Sequence, residues 1–341
     1  MFAIQLLPIA CALSAAVLLA ALASVVLGVS PPHLLHVLVS RFGPYAWGQV
    51  FFKATFLTFT GLAVAMTFSA GLFNIGAEGQ VVVGSLACAL VGIAAASAPA
   101  WILLPLTIVA AFVGGALWGF VPGWLKARFG THEVINTIML NFIAVAAVNF
   151  LMTRYLALPE TVRTASIGVS LPRLEIFWPA MRGSAANLSL LLALLSVVLA
   201  HLFLHHTPEG LSLRAVGQGL RPARIAGIAP GRRIVLAFVL GGGFAGLAGT
   251  NFVLGYKHYY EEGFTGGIGF MGIAVALIAR NEPLAVFPAA LLFGFLSHAG
   301  LVVNTLLPRE IVDVLTGAIL LIFIASERLR LRWMRRERGR P

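Results

Sequence analysis

Asn74, Glu78 and Gln80 fall within ten residues, GLFNIGAEGQ (Gly71–Gln80), between two long apolar runs. One carboxylate and two amides at this spacing can exchange hydrogen bonds with a polar, uncharged solute, but they supply neither a nucleophile nor a metal set. Gly71, Gly76 and Gly79 weaken any helix around them. Unwound backbone at membrane depth survives only inside protein or beside water, and the N–H groups it frees can bind a solute. A charged side chain exposed at mid-bilayer costs a few kcal/mol, so Glu78 must face a cavity or a partner if it lies that deep. The functional reading is a solute pathway lined by Asn74, Glu78 and Gln80. A plain polar turn, with Glu78 solvated or capping, fits the same spacing, and the residues alone leave both open.

A second amide cluster follows in THEVINTIMLNFIAVAAVNF, where Thr131, His132 and Glu133 read as a helix start. Asn136, Asn141 and Asn149 are expected on roughly one helical side, either lining the pathway or joining neighbouring helices. Asn251, His298 and Asn304 stand alone and read as helix-joining groups.

A third stretch, EGLSLRAVGQGLRPARIAGIAPGRR, is basic and punctuated. Pro222 suits the first turn of a helix and Gly227 its end, which predicts a short helix over about 221–226. Arg221 and Arg224 would then be exposed, with Ile225 and Ile228 free to enter an apolar groove of a partner. A basic loop that only fixes topology is the plainer reading.

These groups need elements to hold them, and the composition dictates which. Of 341 residues, 60% are apolar and 10% charged, against about a quarter charged in an ordinary soluble chain. Apolar runs near twenty residues recur, each long enough to cross about 30 Å of hydrocarbon as a helix. They do not alternate, which argues against a β-barrel. The expected fold is an all-α polytopic membrane protein, a single domain over 1–341 with about ten crossings. The spans read as 5–29, 53–73, 79–97, 101–125, 136–158, 187–206, 233–255, 266–280, 284–305 and 311–326. The short eighth span and the interruption at Gly71–Gln80 are candidates for broken or re-entrant helices. The first run is read as a transmembrane helix rather than a signal peptide, because no basic residue precedes it.

The net charge of +11 is concentrated, not spread over a soluble face. Seven arginines lie in the tail 327–341 and five more between His206 and Arg233. Basic flanks mark cytoplasmic sides and meet anionic lipid, so nucleic acid is not an expected partner. Counting crossings back from the tail puts 206–233 and 126–135 on that same side, with both termini cytoplasmic. The loops 30–52, 159–186 and 256–265 then lie outside, although Arg163, Arg173 and Arg182 in the second run against the rule. Cys11 and Cys88 sit in apolar runs and read as packing residues, not a disulfide or a metal pair. GLAVAM (Gly61–Met66) is echoed by GIAVAL (Gly272–Leu277), each followed by an Asn and a Glu, which allows two repeated halves.

Several chemistries are excluded by what is missing. There is no G-x-x-x-x-G-K-[ST], no H-E-x-x-H and no G-x-S-x-G. With Asp313 the sole aspartate, a proton relay is thinly supplied. The chain is expected to be no enzyme and to hold no cofactor or metal of its own.

GLAVAMTFSAGLFNIGAEGQ, HEVINTIMLNFIA, LRAVGQGLRPARIAGI and GFMGIAVALIARNEPLAVFPAALLFG, in this order, resemble the permease subunits of bacterial ABC importers for nucleosides and simple sugars. FNIGAEGQ with VINTIMLNFIA points to the nucleoside branch. The resemblance implies an inner-membrane subunit that pairs with a second, homologous permease. A separate ABC ATPase would bind the ATP, and an outer substrate-binding protein or lipoprotein would deliver the solute. It also implies pathway roles for Asn74, Glu78, Gln80, Asn136 and Asn141, and ATPase coupling by Arg221, Arg224, Ala226 and Gly227. Where relatives commonly read GxNPxAARYAGI, this chain has GQGLRPARIAGI, with Gly219 and Ile225 in the usual Asn and Tyr places. Simple sugars are the alternative substrate, and a stand-alone transporter or channel is the alternative class.

Overall fold

The computed structural model describes residues 28–304 continuously, with isolated positions on either side. The spans expected at 5–29 and 311–326, Cys11, Asp313 and the arginine-rich tail lie outside this continuous stretch. Eleven helices occur among the described residues, joined by turns, 3₁₀ segments and two isolated β-bridges. Seven of them are long and apolar enough to cross a membrane. Two compact units divide the chain, Met1–Val50 with Phe295–Pro341, and Phe51–Gly294.

In the first unit α1 (Pro31–Arg41) precedes the start of α2 (Pro44–Ser69). The ring of Phe42 lies 4.8 Å from Phe295, 5.7 Å from Trp47 and 5.7 Å from His298. The loop expected over 30–52 is therefore helical for most of its length. Two prolines supply the first turn of α1, and α2 runs straight through Lys53, whose long stem lets one cation sit in an apolar helix.

The second unit carries α3 (Ala77–Ala94), α4 (Ala100–Phe129), α5 (Glu133–Leu151, continued by a π turn over Met152–Leu156), α6 (Ser189–His206), α7 (Pro208–Gln218), α8 (Leu220–Ile225), α9 (Pro230–Val253), α10 (Ile268–Ile278) and α11 (Pro283–Val303, which runs beyond it). Lipid tails give apolar helices no hydrophobic reason to associate, so close backbone packing must do it. Here α3, α4 and α9 meet through a ladder of small residues. A Cβ at Gly115 or Gly119 of α4 would overlap the carbonyl of Gly242 or Phe238 on α9. Gly246 stands in the same relation to the Ala111 carbonyl, and Gly84 of α3 closes on both Gly246 and Ala111. By contrast α4, α5 and α6 turn Leu117, Phe120, Phe142, Phe150, Leu195 and Leu199 outward, an apolar face suited to lipid or another membrane subunit. The echoed segments pack on each other: Gly61 faces Val275, and Gly272 faces Thr60.

The ends of the unit sort as the charge pattern predicts. Gly71 meets Gly217, and Gly231 meets Ala127, so the chain near 71, 127–133 and 206–231 gathers at one end. At the other end the connection after α5 crosses the one after α9. Thr164 N–H donates to Tyr260 O at 2.9 Å, Ile167 N–H to His258 O at 2.8 Å, and Leu171 N–H to Leu254 O at 2.9 Å. Two of the three arginines that ran against the charge rule, Arg163 and Arg173, have local partners. Arg163 lies over the Tyr259 ring at 4.9 Å, and Arg173 donates to the Tyr256 carbonyl at 3.4 Å. Burial also raises the pKa of the Tyr260 phenol in this crossover.

Gly115→Val tests the ladder. The α4–α9 pair must separate to admit the side chain, at about 1–3 kcal/mol or more. The thermal midpoint of the detergent-purified chain should fall by several degrees, whereas Leu117→Val on the outward face should leave it unchanged.

Candidate functional site

The interruption expected at Gly71–Gln80 is present, and much of its polar backbone has a defined partner. The last turn of α2 closes on itself, with Gly71 N–H donating to Phe68 O at 2.8 Å and Leu72 N–H to Thr67 O at 3.1 Å. Gly71 at φ +73° then reverses the chain in a conformation that a side chain would strain. Residues 72–76 run without a helical ladder until α3 begins at Ala77.

Buried polar backbone needs partners, and here the amides provide them. Asn74 Oδ1 accepts from Gly76 N–H at 2.9 Å, an Asx turn that stands in for a backbone turn. Its Nδ2 donates to Gln80 Oε1 at 3.0 Å, tying the loop to the first turn of α3. From α5, Asn141 Oδ1 accepts from Gly79 N–H at 2.8 Å and Nδ2 donates to Ile75 O at 2.8 Å. One turn earlier on α5, Thr137 Oγ1 accepts from Ile75 N–H at 3.3 Å. Asn74, Gln80 and Asn141 are all buried.

Glu78 does something different. Gly267 N–H donates to its Oε1 at 3.0 Å and Gly269 N–H to its Oε2 at 2.6 Å, at the start of α10. Glu78 also occupies the first turn of α3. One carboxylate thus faces the positive ends of two helices, each favouring an anion by roughly 0.3–2 kcal/mol. The approach needs glycine, since a Cβ on Gly269 would overlap the Glu78 backbone.

Its depth follows from helix register. Gly84 abuts Gly246, and Gly249 abuts Ser85, so α3 and α9 run in the same direction. Glu78 precedes Gly84 by six residues, about 9 Å of helix, and Gly246 lies about 24 Å from the start of α9 at Pro230. Glu78 is therefore level with the middle of α9, not with its end.

The structure gathers Asn74, Gln80 and Asn141 into one network, with Glu78 beside it, but leaves Asn136 apart. Asn136 Nδ2 donates to Pro122 O at 3.2 Å and Thr131 Oγ1 at 3.4 Å, joining α5 to α4. The expectation that Asn136 and Asn141 share a side is corrected: five residues turn a helix by about 140°. The spacing that does align is four, Thr137 with Asn141. Sequence reading missed Thr137 as well as the N–H groups of Gly267 and Gly269, for which the run GGIG (Gly266–Gly269) was the available signal. Asn251 is a helix-joining group as expected. It accepts from Asn187 at 2.9 Å and donates to Phe52 O at 2.9 Å.

In the basic stretch two helices stand where one was expected. Thr207 caps α7, its hydroxyl accepting from Gly210 N–H at 3.0 Å, and α8 covers Leu220–Ile225. Gly227 at φ +76° ends the turn. Arg221, Arg224, Ala226 and Gly227 are all exposed, and Ile225 is 89% exposed. Ile228, expected to point outward beside it, instead packs inward. It rests on a buried cluster that includes Ala70, Leu72, Leu213, Val216, Ala223 and Phe238. Ala70 and Leu72 belong to the break itself, so the exposed turn and the interruption share one apolar core.

Comparison with known proteins bears on this arrangement. Residues 47–324 match the family described as branched-chain amino acid transport system / permease component. The guanosine ABC transporter permease of Bacillus subtilis is 38% identical over 83% of this chain and 81% of its own. A nucleoside ABC transporter permease of Lactococcus lactis is 33% identical over 79% of this chain and 76% of its own. A glucose ABC transporter permease of Haloferax volcanii is also 33% identical, over 85% of this chain and 78% of its own. With a family match over most of its length, on a multi-pass helical scaffold, this chain belongs to the permease components of the branched-chain amino acid transport family.

Proposed function

We propose that this chain is the membrane subunit of an ABC importer for nucleosides. A single observation carries the substrate: 38% identity, over most of both chains, to a permease named for guanosine. The glucose permease among the relatives supports simple sugars as the second reading. In this proposal a second, homologous permease completes the pathway and a separate ATPase binds the ATP. An outer substrate-binding protein or lipoprotein delivers the solute, and anionic lipid meets the basic segments. The site of action is the bacterial inner membrane, with both termini cytoplasmic.

The break forms part of the pathway wall. Asn74, Gln80 and Asn141 act by fixing its shape, since their hydrogen-bonding groups are engaged within it. Glu78 locks α10 to α3 beside it, and Asn136 ties α5 to α4. The α8 turn is the ATPase contact. Its exposed Ile225 offers an apolar anchor between Arg221 and Arg224, with Ala226 and Gly227 allowing close approach.

Reconstituted with its partner permease, ATPase and binding protein, the chain should accumulate labelled guanosine with ATP, and glucose no faster than the lipid background. Glucose accumulation without guanosine would transfer the assignment to the sugar reading. Alone in liposomes the chain should concentrate neither solute.

Glu78→Ala leaves two N–H groups unpaired, at about 1–3 kcal/mol each. Uptake should drop at least tenfold and the thermal midpoint should fall. Glu78→Gln keeps one acceptor oxygen and should retain more of both. Equal loss in the two variants would point to the charge, and full uptake by both would remove Glu78 from the pathway.

Ile225→Asp is expected to weaken association with the ATPase by roughly tenfold or more, as for a central apolar contact. Its melting should match the parent, because nothing among the described residues covers that side chain.

A further inference from the structure

We propose that His201, His205 and Glu282 form a binding site for a divalent transition-metal ion of the zinc class. His201 and His205 lie four residues apart on α6, one turn on the same face. Glu282 comes from the short turn between α10 and α11. One ligand atom from each of the three lies within 4.8 Å of the other two, and His205 Nε2 is 3.4 Å from Glu282 Oε2. Two imidazoles and a carboxylate are a donor set that suits zinc and its neighbours, with a water completing the tetrahedron. Metal–ligand bonds of about 2.0–2.2 Å put ligand atoms about 3.3–3.5 Å apart. The His205–Glu282 pair is already at that spacing, and the His201 ligand atom lies within 4.8 Å of both.

A simple His205–Glu282 ion pair accounts for less. It makes no use of His201, whose ring stacks on His205 with centroids 4.5 Å apart, an arrangement in which two protonated imidazoles would repel. Nor does it serve His201, whose Nδ1 is buried without a hydrogen-bond partner. A metal ion held by one nitrogen of each ring would keep both neutral and turn the repulsion into a shared bond. Glu282 is set in place by an unusual backbone. Arg280 and Asn281 are consecutive non-glycine residues at φ +54° and +59°, and Asn281 N–H donates to Ala276 O at 2.8 Å. Such strain persists only where the surroundings hold it. Arg214 lies close enough to His205 to act on it electrostatically, a cationic neighbour that limits the affinity.

The ion would join two moving parts. Thr207, directly after α6, caps α7 and so starts the docking stretch, while Glu282 terminates the turn that follows α10. A bound ion therefore ties the α10–α11 turn to the root of α7–α8 and should slow transport. That consequence rests on the permease reading, but binding itself does not.

Binding is therefore measured without transport. The full chain is purified in detergent with any polyhistidine tag removed, and titrated with zinc by calorimetry and with cobalt by visible absorption. One ion per chain is expected, with the cobalt spectrum of a tetrahedral nitrogen–oxygen site. Glu282→Gln should weaken zinc binding by roughly tenfold, and His201→Ala with His205→Ala should abolish the cobalt spectrum. Melting of the metal-free variants checks that they fold. If the histidine variants do not, Glu282→Gln decides alone, because that side chain is 58% exposed. Equal zinc affinity in parent and Glu282→Gln, or no zinc binding by the parent at micromolar metal, overturns the site.

Discussion

A helix broken inside a membrane protein leaves backbone groups that neither lipid nor the helix can satisfy, and the rest of this site follows from how they are met. Without water, each unpaired N–H or C=O costs several kcal/mol. The chain answers with side chains borrowed from three places. Asn74 closes the loop on itself and Asn141 and Thr137 reach over from α5, while Glu78, set beside the break, does the same service for the start of α10. The carboxylate is the least replaceable member, because it alone serves two helix ends. Polar residues that look like solute ligands in the sequence are first of all the means by which an interruption can exist at that depth.

The glycine ladder among α3, α4 and α9 supplies the frame for this arrangement. Helices in contact at backbone distance have little freedom to slide, since any shift drives a carbonyl into a neighbouring chain. The register between α3 and α9 is therefore fixed by Gly84, Gly246 and Gly249, and with it the depth of Glu78. α10 approaches its neighbours through two glycines, Gly269 against the Glu78 backbone and Gly272 against Thr60. At eleven residues it spans about 16 Å, roughly half the hydrocarbon thickness, so its N-terminus must end within the protein. The echoed GLAVAM and GIAVAL segments pack it against α2, and Glu78 holds its first turn.

Much of this was legible in the sequence because apolar run length and glycine position are local signals. The eight expected spans that fall within 53–305 each coincide with a helix, and the interruption at Gly71–Gln80 and the helix over about 221–226 were marked by glycine and proline. What could not be read depends on distance along the chain. Glu78 and its partners are about 190 residues apart, and nothing in FNIGAEGQ reveals whether its carboxylate meets solute or backbone. Of the two roles left open for Asn136, helix joining is the one its hydrogen bonds fit, and the shared side with Asn141 fails because five positions turn a helix by about 140°. Ile228 was misassigned because the left-handed turn at Gly227 sends the chain back toward its own core, where Ile228 N–H donates to Ala223 O at 3.0 Å. The α1 helix was hidden by the prolines and charges that usually bound a span.

The same core explains how force applied at the exposed turn can reach the middle of the protein. Energetic coupling needs a contiguous set of packed groups, and a physical element both sites bias. Ala223 of α8, Leu213 and Val216 of α7, and Ala70 and Leu72 of the break lie in one buried cluster with Phe238 of α9. Gly217 abuts Gly71 with no side chain between them. A displacement of α8 therefore presses on the chain at Gly71–Leu72 without passing through a flexible linker. Beyond that point the hydrogen bonds of Asn74, Asn141 and Glu78 make the loop, α3 and the start of α10 a single mechanical piece. A rigid break transmits motion, whereas a loosely solvated one would absorb it, and this is a physical reason for amides there to bond to backbone rather than wait for solute.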